Sequence, residues 1–371
     1  MDPALPKRVW VKIERKGGMD LKNLRKQIDE LDKKITELLN RRSGITLRIA
    51  KYKQDKGVRT YSPDRERDVL RRVALLNKGP LSHRALEAIY REIMSASLSL
   101  EKPLRIAYLG PQASFTHLAA LKRFGSQLDY VACDSISDVF LEVGREAVDY
   151  GVVPIENSIE GAVTHTLDMF MDSDLKICAQ IILNISHNLL ANCPKDKVKR
   201  IYSNPQVFGQ CRIWLQENLP GVETIEVSST TRAAEIVAGE KYSACIASLL
   251  AAKVYRLKVI AADIEDSPHN ITRFFVIGTQ DIGPTENDKT SILFSIKDRV
   301  GALYEMLLPF KDNRINLTRI ESRPSKKKAW DYYFFVDLQG HKEDQRVKRA
   351  LRQLEAKCNF LKVLGSYPVG E

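Results

Sequence analysis

From Leu21 to Lys56 the chain has no proline and one glycine, Gly44, while Leu24, Ile28, Leu31, Ile35, Leu38, Ile45, Ile49 and Tyr52 recur at three- and four-residue intervals. That spacing predicts one unbroken amphipathic helix closed by Gly57. At about 1.5 Å per residue it is roughly 50 Å long, more than so small a block can cover by itself. Its apolar stripe therefore predicts packing against a second copy. Ser62-Pro63 opens a second helix to about Asn77, Asn77 to Pro80 breaks it, and Ser82 caps a third from 83 to about 101.

Polar groups interrupt the stripe. Arg42 sits between Leu38 and Ile45, and Lys53 lies four residues after Ile49. Eleven residues turn a helix by about 1100°, so both cations share one face. On the third helix Leu86, Tyr90 and Ile93 lead by the same spacing to Ser97 and Glu101. Charges in an apolar seam are costly unless a ligand or partner satisfies them, which points to an anion. Long side chains snorkelling to water are the alternative. Arg25 lies about 25 Å along the axis from Arg42, so it reaches the same small ligand only as Arg25 of the partner subunit. Net charge is uneven: 25 Lys/Arg against 14 Asp/Glu over residues 1–103, 17 against 23 over 104–289, and 16 against 10 over 290–371. Three blocks imply three domains, and a basic first block fits nucleic acid, a small polyanion or a solvated helical surface.

The first block, in LRKQID, the pair at 41–42, KYK, DRERD at 64–68 and SxxxE at 97–101, resembles the all-helical chorismate mutases, three-helix chains that interlock as dimers. The resemblance implies that Arg25 of the partner subunit with Arg42, Lys53 and Arg65 holds the substrate carboxylates and ether oxygen, and that Glu66 and Ser97 bind hydroxyl and carboxylate groups. Chorismate is a dianion rearranging through a pericyclic transition state, so the protein has only to hold a compact conformer and stabilise charge on the ether oxygen. Two positions depart from the family pattern. Glu101 stands where many members carry Gln, which implies that it works protonated, and Ser62 stands where Asp is common.

After Lys102-Pro103 the pattern changes. Strand candidates at 104–110, 150–155, 182–191, 198–203, 223–228, 243–248 and 273–278 alternate with helical patterns at 114–125, 135–147, 205–218, 230–240 and 248–255. The alternation predicts a mostly parallel sheet in two lobes with ligands between them. No dinucleotide glycine fingerprint, P-loop or GxSxG elbow follows a strand, which argues against NAD, ATP and that type of serine hydrolase. The six cysteines and six histidines lack metal-ligand spacing. Neither cofactor nor metal is expected. Polar clusters punctuate the strand ends: Glu156-Asn157-Ser158, Ser203-Asn204-Pro205-Gln206, Ser228 to Thr231, and Asn270 to Arg273. Each reads as helix capping or as a carboxylate cradle.

LGPQASFTH (109–117), GVVPIENSIEGAV (151–163), SNPQVFGQC (203–211), SSTTRAA (228–234) and IEDSPHNITRFFVIG (264–278) give this block its resemblance to prephenate dehydratase, a two-lobed α/β domain of periplasmic-binding-protein type. The implied reaction converts prephenate to phenylpyruvate with loss of CO₂ and the ring hydroxyl. Aromatisation drives it, so a weak donor, Thr272, suffices on the leaving oxygen. The resemblance places Asn157, Ser158, Ser203, Asn204, Gln206 and Thr230 in the pocket. It gives Arg273 either a carboxylate or a bracing role, and Phe274 a packing role beside them.

Beyond the polar linker from Gly283, strand 291–297, helix 300–312, strand 315–322, strand 330–338, helix 343–357 and a strand near 361–367 give a βαββαβ order, a ferredoxin-like α+β fold. Lys326 to Lys328 form a basic turn between two of the strands. Residues 290–368 resemble an ACT regulatory domain, whose effector words are matched by Gly301-Ala302-Leu303 and by Glu321-Ser322-Arg323-Pro324. The resemblance implies paired modules, phenylalanine bound between them and feedback inhibition.

The expected organisation is an N-terminal extension (1–18), a mutase domain (19–102), a dehydratase domain (104–281) and a regulatory domain (290–368). No apolar run approaches the roughly 18 residues of a membrane span, and the first residues lack a signal-peptide core. The expectation is a cytoplasmic bifunctional homo-oligomer with no nucleic-acid or membrane partner. Two other readings stay open: a monofunctional dehydratase whose helices only dimerise, and an amino-acid sensor binding nucleic acid through its basic block.

Overall fold

The structure, a computed structural model, describes residues 20–56, 63–101, 104–296, 299–324 and 332–369. The extension 1–18, Ser62 and the turn Lys326 to Lys328 lie outside the described residues. The chain divides into two units, Met1–Val58 and Arg59–Glu371.

The first unit holds α1 (Leu21–Asp55), 35 residues without a break. Its apolar stripe faces outward in the single chain, with Leu31 57% and Leu38 63% exposed. Arg42 and Lys53 are half-buried, whereas Arg25 is exposed.

In the second unit, α2 (Pro63–Leu76) and α3 (His83–Glu101) form a helical pair. α3 packs against the turn Gly125 to Gln127. Glu92 accepts from the Ser126 backbone at 3.2 Å, and Ser95 Oγ accepts from the Gln127 backbone at 3.2 Å. A Cβ on Gly125 would collide with the Ser95 side chain, and the residue also has φ +78°, so glycine is required there.

The α/β block runs β1 (Arg105–Leu109), α4 (Phe115–Phe124), β2 (Asp129–Cys133), α5 (Ile136–Gly144), β3 (Tyr150–Asn157), β4 (Gly161–Ala162), α6 (Thr164–Asp172) and β5 (Lys176–Asn184). It continues through β6 (Asn188–Ala191), β7 (Arg200–Ser203), α7 (Pro205–Gln210), α8 (Arg212–Asn218), β8 (Glu223–Glu226), α9 (Thr230–Gly239), β9 (Ser243–Ala247), α10 (Leu249–Tyr255), β10 (Lys258–Ala261) and β11 (Ile271–Gly278). Two sheets result, ordered β2-β1-β3-β11-β5 (with β4 beside β3) and β10-β6-β9-β7-β8. These are the two lobes.

Three expectations need correction. The sheets are mixed, not mostly parallel: β1 runs parallel to β2 and β3, while β11 lies antiparallel to β3 and β5. The cause is topological, because β11 returns from the second lobe into the middle of the first. The apolar run 182–191 is two strands in different lobes, β5 and β6, joined by Ile185 to His187. The helical run 205–218 is two helices, separated at Cys211. The two crossings between lobes run side by side, with Ile185 N donating to Asn270 O at 2.8 Å and Ile264 N to His187 O at 2.8 Å.

The last block comprises β12 (Asp288–Ser295), α11 (Ala302–Asp312), β13 (Leu317–Pro324), β14 (Tyr332–Gln339), α12 (Gln345–Glu355) and β15 (Phe360–Pro368), in one antiparallel sheet ordered β13-β14-β12-β15. One face packs on α11 and α12 through Phe294, Phe310, Val336 and Leu354. The other contributes Leu293, Phe335, Leu364 and Tyr367 to the core of the first lobe. The last sheet and the first lobe thus share apolar burial, the main favourable term in such packing. The linker before β12 is held by α2: Arg67 Nη1 donates to Thr285 Oγ1 at 3.1 Å and Arg71 pairs with Glu286 at 2.7 Å.

Candidate active sites

β3 and β11 end beside the two crossings, and Thr272 faces Asn157 across their ladder. Thr272 is 8% exposed. Asn157 Nδ2 donates to Thr272 Oγ1 at 2.8 Å and to Asn270 Oδ1 at 2.9 Å. Asn270 Nδ2 in turn donates to Gln210 Oε1 at 2.8 Å. His187 Nε2 meets the same oxygen at 2.7 Å, which makes that nitrogen the protonated one. Gln210 Nε2 completes the chain on Glu160 at 3.1 Å, and Gln206 Nε2 reaches the other oxygen of Glu160 at 2.9 Å. The polarity has a chemical result. Thr272 Oγ1 accepts from Asn157, so its own proton is left to donate.

A cavity of 440 Å³ opens beside this chain, lined by Glu160, Gln206, Gln210, Glu265, Asp266 and Ser267 among others. Its three carboxylates are each matched by N–H donors. Glu265 accepts from His187 N at 2.8 Å, and Asp266 accepts from Ile213 N and Trp214 N at 3.0 and 3.1 Å. The lobes also touch at the loop before α4, where Ser248 Oγ donates to Ala113 O at 3.1 Å and Phe115 sets its ring edge-on to His187 at 5.7 Å. Burial holds the His187 imidazole below its ordinary pKa, against weaker opposing effects of Gln210 and Glu265. Burial lowers His117 likewise.

Several residues expected in the pocket have other duties. Ser203 is fully buried and its hydroxyl donates to Ile246 O at 2.9 Å, tying β7 to β9. Ser158 Oγ donates to His269 O and accepts from Ile271 N, clasping β3 to the start of β11. Asn204 caps α7 by accepting from Gln206 N at 3.0 Å. Phe274 is 1% exposed and packs in the lobe core. Arg273 points away from Thr272 to the sheet of the last block, where it pairs with Asp337, the geometry of a brace. The reason is alternation: neighbours on a strand take opposite faces. Thr230 opens α9, which Ser229 caps by accepting from Arg232 N at 3.0 Å. The residues the sequence reading missed are Gln210, Glu160 and His187, while Asn270 is marked there only as part of a polar cluster. Gln206 and Gln210 are one helical turn apart, and that spacing is the signal that points to Gln210.

In the helical block, α1 belongs to the first unit. In the second unit Arg65 is exposed, and Glu66 pairs with Arg123 of α4 at 3.1 Å. Ser97 is buried and its Oγ donates to Ile93 O at 2.8 Å, while Glu101, half-buried, ends α3. In the regulatory block, Gly301 takes φ +79° ahead of α11, a conformation that favours glycine. Ala302 is buried and Leu303 is exposed. Along β13 Glu321 and Arg323 are half-buried while Ser322 and Pro324 are exposed. Arg323 is engaged with Asp168 of α6 at 3.2 Å, a docking contact between the two blocks.

Three family models match the chain: Chorismate mutase type II over residues 24–102, Prephenate dehydratase over 106–282 and ACT domain over 290–356. A bifunctional chorismate mutase/prephenate dehydratase of Aquifex aeolicus is 51% identical over 354 residues, covering 94% of this chain and 98% of that one. A prephenate dehydratase of Methanocaldococcus jannaschii is 40% identical and covers 71% of this chain and 98% of its own length. Among solved structures, a prephenate dehydratase from Arthrobacter aurescens in complex with L-Phe superposes with a TM-score of 0.67 at 34% identity, covering 72% of this chain and 90% of that chain.

Proposed function

The chain belongs to the family of bifunctional chorismate mutase/prephenate dehydratases, and from that premise we infer how its residues perform the two steps. It rearranges chorismate to prephenate and converts prephenate to phenylpyruvate.

In the second step the C1–carboxylate bond breaks to release CO₂, its electron pair enters the ring, and the C4–O bond breaks with the hydroxyl leaving. One proton is taken up, so the leaving group departs as water. Thr272 is the donor to that oxygen. The observation that carries this reading is the Asn157-to-Thr272 hydrogen bond at 2.8 Å, which occupies a lone pair of the hydroxyl and turns its proton toward the cleft. Asn270 and Gln210 hold Asn157 in that orientation. With Arg273 engaged elsewhere, carboxylate binding falls to neutral donors, among them Gln206, Thr230 and the backbone N–H groups that begin α4 and α9.

For the first step, Arg42, Lys53 and Arg65, with Arg25 of the partner subunit, grip the dianion; Ser97 and a protonated Glu101 complete the set, and Ser62 lies outside the described residues. A carboxylate can keep one ion pair and accept a hydroxyl proton on its other oxygen, so Glu66 retains its part beside Arg123. The exposed stripe of α1 supports a homodimer as the working form. Phenylalanine is the effector, bound at Gly301 to Leu303 and at the Glu321 to Pro324 strand, and supported by the L-Phe complex of the Arthrobacter relative.

The test is a coupled assay on purified protein. Chorismate alone should yield phenylpyruvate, and added phenylalanine should lower the dehydratase rate. Production of phenylpyruvate from prephenate but not from chorismate would leave the helical block as a dimerisation element.

A further inference from the structure

Each member of the Thr272–Asn157 pair has an ionised neighbour one residue away: Arg273 faces Glu156 in the next rung of the same ladder. These two turn to the regulatory sheet, where β13, β14 and β15 meet them and β12 backs the contacts. Arg273 donates to Asp337 of β14, to Tyr367 of β15 at 3.3 Å and to Glu156 at 3.4 Å. Arg319 of β13 reaches the same Glu156 oxygen at 3.5 Å. Ser291 of β12 bonds Asp337 at 2.5 Å and Tyr367 at 2.7 Å. The Arg273 guanidinium also lies 4.8 Å over the Phe275 ring.

This cluster is enclosed apart from Glu156, whose side chain is 38% exposed. The side chains of Arg273, Asp337 and Arg319 are 11%, 5% and 8% exposed. It is also incompletely matched, because Arg273 Nε and Arg319 Nη2 have no hydrogen-bond partner among the described residues. Burial works against the charge on Arg273, yet Tyr367, Asp337 and Glu156 more than offset it, so the group is held firmly cationic. A buried charge cannot lose its counter-charge without penalty, so a shift of β13 or β14 must be followed by Glu156 and Arg273. β13 is the strand that carries Glu321 to Pro324. Its inward residues Arg319 and Arg323 are the ones that hold Glu156 and Asp168.

Resting on the assignment of Thr272 and Asn157 to the dehydratase step and of β13 to the effector site, we propose that Arg273 and Glu156 are positioning residues for the Thr272–Asn157 pair, and that Arg319 and Asp337 transmit the state of the regulatory module to them. A passive interface would give the two modules common stability; this arrangement couples effector occupancy to the orientation of one hydroxyl.

The test uses the full chain with Arg319→Gln, Asp337→Asn, Arg273→Lys and Arg273→Gln, scored by dehydratase kcat and KM, mutase rate, calorimetric phenylalanine binding and phenylalanine inhibition. Arg319→Gln should bind phenylalanine within about threefold of the parent while needing roughly tenfold more for half-inhibition. Asp337→Asn should lower dehydratase kcat about tenfold or more with KM and mutase rate nearly unchanged, and Arg273→Lys should retain more kcat than Arg273→Gln. Unchanged inhibition and kcat in Arg319→Gln and Asp337→Asn would overturn the proposal. So would loss of inhibition matched by loss of phenylalanine binding, or a uniform fall in kcat, mutase rate and melting temperature. A parent insensitive to phenylalanine would overturn the coupling and the effector assignment together, while the kcat-to-KM split in Asp337→Asn still decides the positioning role. Arg319→Gln decides the coupling even where Asp337→Asn does not fold.

Discussion

Thr272 and Arg273 are adjacent in sequence and serve different parts of the molecule, one the lobe junction and the other the regulatory sheet. Replacing Thr272 by Ala removes the hydroxyl that Asn157 orients. Dehydratase turnover should fall by roughly 10²–10⁴ while mutase turnover stays within about twofold, measured on the same preparation. Equal loss of both would refute separate sites. His187 makes a different prediction. Burial lowers its folded pKa, so the unfolded chain binds the proton first as pH drops. The stability attached to this group is therefore complete above the unfolded value of about 6.5 and is lost progressively as pH falls from there toward the folded value. Melting temperature against pH between 7 and 5 should be shallower for His187→Gln than for the parent; parallel curves would sink the argument.

Among the elements, α1 poses the clearest physical problem. Its 35 residues carry Leu31, Ile35 and Leu38 at more than half exposure, an apolar stripe that one chain does not cover. If a second copy covers it, Leu31→Asp should shift the protein to smaller species in sedimentation and abolish mutase activity, because Arg25 of the partner subunit is withdrawn. A dimer that persists with full mutase activity would count against the interlocked arrangement. The helix itself was legible from spacing alone. The strands were less so: the run 182–191 has one unbroken apolar character, and nothing in its composition marks the point where Ser186-His187 carries the chain from one lobe to the other. β2 and β10 also lack the strong runs that betray a buried strand, since each lies at the outer edge of its sheet.

Across the whole molecule, the regulatory block is joined to the catalytic lobe by close backbone contact as well as by ions. A Cβ on Gly365 of β15 would fall on the Ile177 backbone of β5, 2.8 Å from its nitrogen. Gly365→Ala should therefore cost about 1–3 kcal/mol through overpacking. The expected readout is a lower melting temperature for the second unit together with weaker phenylalanine inhibition, with mutase activity retained. An alanine variant as stable and as strongly inhibited as the parent would show that the junction is looser than this packing.

The sequence by itself determined the periodic elements, the three-block order and the polar words at the strand ends, because those depend on residues close together in the chain. It also marked Thr272 and Asn157. Only the tertiary structure decided which polar residues face the lobe junction. Ser203, Ser158 and Asn204 read in sequence as ligands or caps, and their hydroxyls and amide act as struts and a cap, while Gln210 and His187 look ordinary and meet Asn270 around one oxygen. The same holds for Arg273, whose partner Asp337 is 64 residues away. A strand fixes that successive side chains alternate, but which face is open depends on the sheets and lobes packed against it, and those come from distant parts of the chain.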